Sequence, residues 1–148
     1  GWKIPEETIR EGLARAKWAG RFEVLSQNPV FLLDGAHNAH GMRAAVESLK
    51  ALLPGRKLMF VLGILADKDA AEMLELLVPL AQQAFAVRPE SPRAMGAEEL
   101  SGLLEARGVP AKACESVEAA VAAAVAAAGK KYSKVDGCWF CCPESHQC

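Results

Sequence analysis

The chain's 148 residues suit one domain with a core large enough to support itself, and 51% of them are hydrophobic against 24% charged. With 17 Lys and Arg against 18 Asp and Glu the formal charge is −1, which excludes a broad basic field for nucleic acid or an anionic membrane. The longest weakly polar run, 117–129, is alanine-rich and too short to span a bilayer.

No basic segment followed by an apolar one opens the sequence, so no signal peptide is read and a cytoplasmic location is expected. Cys114 stands alone, whereas Cys138, Cys141, Cys142 and Cys148 crowd into the last eleven residues. That is not the even framework of a secreted disulfide scaffold. The body reads as a reduced intracellular domain, 1–148, with an atypical cysteine-rich tail over 134–148.

In chain order, IPEETIREGLARAKW predicts an opening helix: Pro5 suits its first turn, Glu6 and Glu7 favour its positive end, and Ile9 and Leu13 share a face. RFEVL and PVFLLD follow as strands around the turn signal Gln27-Asn28-Pro29. Met42, Ala45, Val46, Leu49, Leu52 and Leu53 then recur at helical spacing until Pro54-Gly55 stops them. KLMFVLGIL predicts a strand and KDAAEMLELLVPL a helix; QAFAVR predicts a strand and AEELSGLLEARG a helix closed by Gly108.

AKACE is a shorter strand, after which Ser116 can cap a helix whose apolar stripe is Val117, Val121 and Val125. KVDGCWFCC would be the last strand. Strands thus begin near 30, 57, 83, 111 and 134, about one βα unit apart. The inner ones are continuous apolar runs, as in a parallel sheet covered on both faces. The expected fold is α/β, an open and mostly parallel sheet with helices on both faces.

In such sheets ligands lie beyond the carboxyl ends of the strands. Three successive ends carry polar clusters: DGAHN from Asp34, ADKD from Ala66, and RPESPR from Arg88. Parallel strands would bring them to one rim. In the first, Gly35 allows close backbone approach, and Asn38 or Asp34 can cap the next helix. The free N–H groups there suit an anion, Asp34 can accept from ribose hydroxyls or assist a metal, and neutral His37 can contact a base or phosphate. The competing reading is a capping loop with an incidental histidine, and His40 reads as a solvated residue.

In the second cluster Asp67 or Asp69 can cap a helix beginning near Lys68. Lys68 is the unexpected residue, because a cation opposes the dipole at that end unless it faces an anionic ligand. Arg93 can hold a carboxylate or phosphate through its planar fork, or be a solvated surface cation. The sequence has no G-x-x-x-x-G-K-[ST] loop, no G-x-G-x-x-G, no nucleophile elbow and no H-E-x-x-H.

KWAGRFEVL, FLLDGAHNAHG, VLGILADKD and SPRAMGAEEL, in this order, resemble the C-terminal domain of folylpolyglutamate synthase/dihydrofolate synthase, one of the Mur-ligase-like ATP-dependent amide ligases. The resemblance covers residues 4–129 and implies a Rossmann-like fold. It also implies a reaction in which ATP phosphorylates a carboxylate of the pterin substrate, and the amino group of glutamate attacks the acyl phosphate. By resemblance Arg21 matches an arginine near the ATP phosphates, and Asp34 and His37 match nucleotide-contacting positions. Asn38, Lys68 and Asp69 fall on further motif positions.

The implied catalytic set is therefore Asp34, His37 and Lys68, and the implied nucleotide-binding set Arg21, Asp34, His37 and Asn38, with no metal ligand assigned. The implied cofactors are ATP and Mg²⁺, held mainly by an N-terminal ATPase domain. That domain's G-T-N-G-K-G-S loop is not among these residues, so the isolated chain is expected to be inactive. Implied partners are glutamate, folate or dihydropteroate, and that ATPase domain; no nucleic acid or membrane is expected, and a monomer is. Two departures stand out: Ala19 replaces the usual Pro after the motif tryptophan, and KVDGCWFCCPESHQC replaces the usual G-S-L-Y ending. A non-catalytic nucleotide- or anion-binding module is the alternative. A small metal site on Cys138, Cys141, His146 and Cys148 ranks last, because these ligands lie very close in sequence.

Overall fold

A computed structural model describes residues 3–16, 18–27, 29–131 and 138–141. The chain runs α1 (Glu6–Arg15), β1 (Glu23–Gln27), β2 (Val30–Asp34), α2 (Ala39–Leu52), β3 (Leu58–Leu62) and α3 (Ala70–Leu77), with a 3-10 turn at Val78–Leu80. It continues as β4 (Ala81–Ala86), α4 (Ala97–Glu105), β5 (Ala111–Ala113), α5 (Val117–Lys131) and β6 (Cys138–Cys141). The six strands form one sheet in the order β1-β2-β6-β3-β4-β5. β1 pairs antiparallel with β2 and carries a register shift between Val24 and Ser26. Every other pairing is parallel. This is the expected α/β architecture, and β6 inserts between β2 and β3.

β3 shows why its sequence is an unbroken apolar run: all of its residues are buried. Leu58, Phe60 and Leu62 join one core with Met42 and Leu49 of α2, Leu74 of α3 and Leu100 of α4. Met59 and Val61 join the opposite core with Phe85 and with Ala120, Ala124 and Ala128 of α5. Alternate residues of one strand thus feed both layers. Burying one such Leu or Phe side chain is worth about 1.5–3 kcal/mol, so this strand is where the two layers are joined.

The stripe expected on α5 is corrected. Ala120, Ala124 and Ala128 are the buried row, Val117 and Val121 flank it half-buried, and Val125 is 38% exposed. Each valine precedes an alanine of the buried row by three residues, about 60° around a helix of 3.6 residues per turn, so the valine row runs along the side of the buried face rather than at its centre. Alanines serve on the inner side because they let the helix backbone approach the large side chains of Met59 and Phe85. α3 starts at Ala70 rather than near Lys68, and β4 starts at Ala81, two residues before the expected strand. β6 begins at Cys138; the rest of the proposed last strand, 134–137 and Cys142, and the tail containing His146 and Cys148 lie outside the described residues. α1 has no buried residue. No helix among the described residues is long and apolar enough to cross a membrane.

Candidate functional site

Strand register delivers the rim that the sequence predicts. Asp34 at the end of β2 is level with Cys141 of β6, which is level with Leu62 of β3, itself level with Ala86 of β4. All three polar clusters therefore leave the sheet at one edge. Because β6 stands between β2 and β3, the first cluster is two strand spacings, roughly 10 Å, from the second at its base.

The first cluster is organised by a buried carboxylate. Asp34 is 8% exposed; its Oδ1 accepts the Ala36 N–H at 2.9 Å and its Oδ2 accepts the Phe22 N–H at 2.8 Å. The second bond reaches across to the turn before β1. There the Gly20 N–H donates to Glu23 Oε2 at 2.8 Å, and the Arg21 N–H donates to the Trp18 carbonyl at 3.1 Å. The Gly20 carbonyl accepts the Gly35 N–H at 2.8 Å. A side chain at 35 would meet that carbonyl at 3.3 Å and Arg21 Nη1 at 3.9 Å. Gly35 is small because this turn, with its guanidinium, lies against it.

His37 completes the cluster. Its Nδ1 lies 3.0 Å from the Gly35 carbonyl. A carbonyl can only accept, so Nδ1 carries the proton, and in the neutral ring Nε2 is left as an acceptor. Arg21 is exposed and, among the described residues, has no ion-pair partner. Asn38 is the N-cap of α2, its Oδ1 accepting the Gly41 N–H at 2.8 Å. His40 sits exposed in the first turn of that helix.

The second and third clusters are joined to each other. Leu65 bridges Ala94, the Ala66 N–H donates to the Arg93 carbonyl at 2.7 Å, and the Met95 N–H donates to the Ile64 carbonyl at 2.9 Å. Asp67 Oδ2 takes Arg93 Nη1 at 2.9 Å and lies 3.9 Å from Lys68 Nζ. Asp69 is the N-cap of α3, accepting the Glu72 N–H at 3.0 Å. Lys68 therefore lies before the helix rather than in its first turn, and Asp67 offsets its charge. Both pairs are substantially exposed, so they order the rim more than they stabilise the fold.

The structure thus brings Arg21, Asp34, His37 and Asn38 together and sets Lys68 with Asp67 and Arg93 in a neighbouring half of the rim. Sequence reasoning gave no part to Glu23, although it stands three residues after Gly20 in the G-R-F-E stretch, the reach of a side chain closing a turn. Among the described residues no three His, Cys, Asp or Glu are grouped to hold a metal ion. Cys114, just beyond the end of β5 at the same carboxyl edge of the sheet, has its thiol pKa pushed up, chiefly by burial.

Residues 20–135 match the family model described as Mur ligase, glutamate ligase domain. The chain is 36% identical over 107 residues to folylpolyglutamate synthase of Lacticaseibacillus casei, covering 72% of this chain and 25% of that protein. The Escherichia coli FolC structure in complex with DHPP and ADP superposes with a TM-score of 0.76 at 32% identity, covering 95% of this chain and 32% of that one. The bifunctional folylpolyglutamate synthase/dihydrofolate synthase of Yersinia pestis, complexed with AMPPNP and Mn ion, gives a TM-score of 0.76 at 33% identity, with 95% and 32% covered. The chain spans about a quarter of the length of the curated relatives it matches.

Proposed function

The chain belongs to the Mur ligase, glutamate ligase domain family, and from that premise we propose that it is the C-terminal domain of an ATP-dependent ligase joining glutamate to a folate or to dihydropteroate. In the proposed reaction a carboxylate of the pterin substrate takes a phosphoryl group from ATP. The glutamate amine then displaces phosphate, leaving an amide, ADP and phosphate. The observation that supports this reading most is the convergence of Arg21 and His37 on Gly35 at the carboxyl end of β2. An exposed guanidinium without an ion-pair partner among the described residues is suited to phosphate oxygens.

In this proposal Arg21 contacts phosphate, and His37 offers Nε2 to the nucleotide. Asp34 holds both through the backbone around it, and Asn38 keeps the N-terminus of α2 in register. Lys68, loosely paired to Asp67 at 3.9 Å, can turn toward a second anionic group on the rim. In this proposal the phosphate loop and Mg²⁺ belong to an N-terminal ATPase domain of the same enzyme, a reading supported by the chain spanning about a quarter of its curated relatives' length. We place the enzyme in the cytoplasm as a monomer.

The test uses the full-length enzyme and follows glutamyl amide formation. Arg21→Ala and His37→Ala should each lower it at least tenfold, because a lost contact to a charged group costs roughly 1.5–3 kcal/mol and 1.4 kcal/mol is already tenfold. Melting temperatures should stay near the parent's, both side chains lying outside the core clusters. Full activity with normal ATP saturation in both variants would sink the reading.

A further inference from the structure

Arg21 is held by an unusual piece of backbone. The residues on either side of it have left-handed backbones: Gly20 has φ +70° and Phe22 has φ +45°. For glycine that conformation is easy; for a bulky aromatic residue it is strained and persists only where the surroundings impose it. Here they are visible. The Phe22 side chain packs half-buried against the main core. The Phe22 N–H is taken by the Asp34 carboxylate and the Gly20 N–H by the Glu23 carboxylate, each at 2.8 Å. Arg21 sits between the two, its own N–H on the Trp18 carbonyl.

Glu23 has little else to explain its place. It is the first residue of β1, half-buried, level with Leu33 and so beside Asp34 on the neighbouring strand. A carboxylate there is desolvated in part for one backbone N–H, and that N–H belongs to the residue before Arg21. An acceptor at this reach satisfies the Gly20 N–H in the left-handed conformation, so this contact can hold a turn that its φ angles oppose.

We infer that Glu23 is a positioning residue for the proposed nucleotide contact: with Asp34 it clamps the strained Gly20-Arg21-Phe22 turn so that the Arg21 guanidinium stays over Gly35 at the rim. The inference rests on the proposed role of Arg21. The clamp works through an acceptor atom at a set reach, not through negative charge near the phosphates, which would oppose binding. That distinction makes it testable.

The experiment titrates the 148-residue chain with ADP and reads the dissociation constant from backbone amide shifts. Arg21→Ala should weaken binding; if it does not, the nucleotide reading of Arg21 fails, and this inference with it. Given that loss, Glu23→Asp, which keeps the charge but withdraws the acceptor by one methylene, should weaken ADP binding by about fivefold, within the range of one coupled contact. Glu23→Gln, which keeps an acceptor at full reach, should stay within about twofold of the parent. Adding Glu23→Asp to Arg21→Ala should cost nothing further, because the clamp acts only through Arg21. The Gly20 amide should exchange faster in the Asp variant than in the Gln variant. Additive losses, or a normal Asp variant beside a weakened Gln variant, would overturn the inference while leaving the role of Arg21 standing.

Discussion

Asp34 is the residue whose meaning changes most between sequence and structure. Read from D-G-A-H-N it is a polar group at a strand end, open to a ligand or able to cap the next helix. In the structure it is buried, and each oxygen holds a backbone N–H. Truncation would leave those donors unsatisfied, each costing about 1–3 kcal/mol where water cannot enter. Asp34→Ala should therefore lower the unfolding free energy by roughly 2–4 kcal/mol in urea, whereas His37→Ala changes it by less than about 1. An Asp34→Ala chain as stable as the parent would show that water replaces the carboxylate. What the sequence conveys is the residue set: Arg21, Asp34, His37 and Asn38 are together in space. What it hides is the division of labour, because burial and backbone partners depend on the turn before β1 docking onto β2, a contact twelve residues distant in sequence.

At the scale of elements, legibility follows the strength of the local pattern. α2 and β3 were readable because Met42 to Leu49 repeats at helical spacing and 58–62 is uniformly apolar. The buried face of α5 was not, since in a run this rich in alanine the few valines draw the eye while the alanines meet the sheet. The beginning of that helix was legible: the Ala119 N–H donates to Ser116 Oγ at 3.1 Å. The Glu118 carboxyl lies below its ordinary range, through its own backbone N–H first and the Ser116 hydroxyl second. A depressed carboxyl contributes stability above its unfolded pKa and loses it as pH falls through the folded value. Ser116→Ala should cost about 1 kcal/mol near neutral pH, the usual worth of a serine cap. The gap between variant and parent should narrow as pH drops into the carboxylate range, because the parent also loses the Glu118 contribution there. Urea unfolding of both chains across that range checks it; a gap that widens toward acid would show that the cap does not support Glu118.

At the scale of the whole molecule, the described strands form one sheet whose rim has two halves. Arg21, Asp34 and His37 stand at the end of β2, while the joined loops carrying Lys68, Asp67 and Arg93 stand beyond β3 and β4. β6, between them, keeps the halves about two strand spacings apart, too far for one small anion to bridge at the base and suitable for a ligand with two charged ends. A single guanidinium and a histidine supply few of the contacts a nucleotide triphosphate needs, and the 148 residues contain no phosphate loop. The chain by itself should therefore fold, bind ADP with a dissociation constant on the order of millimolar, about −4 kcal/mol, and hydrolyse no ATP above background. In the titration the amides of 20–22 and 35–38 should move first, and those of β5 and α5, on the far edge and the opposite face, should not move. Turnover of ATP by this chain alone would mean that the rim holds phosphate-transfer machinery of its own. Shifts centred on Lys68 and Arg93 instead would place the nucleotide on the other half of the rim and transfer the phosphate-binding role from Arg21 to them.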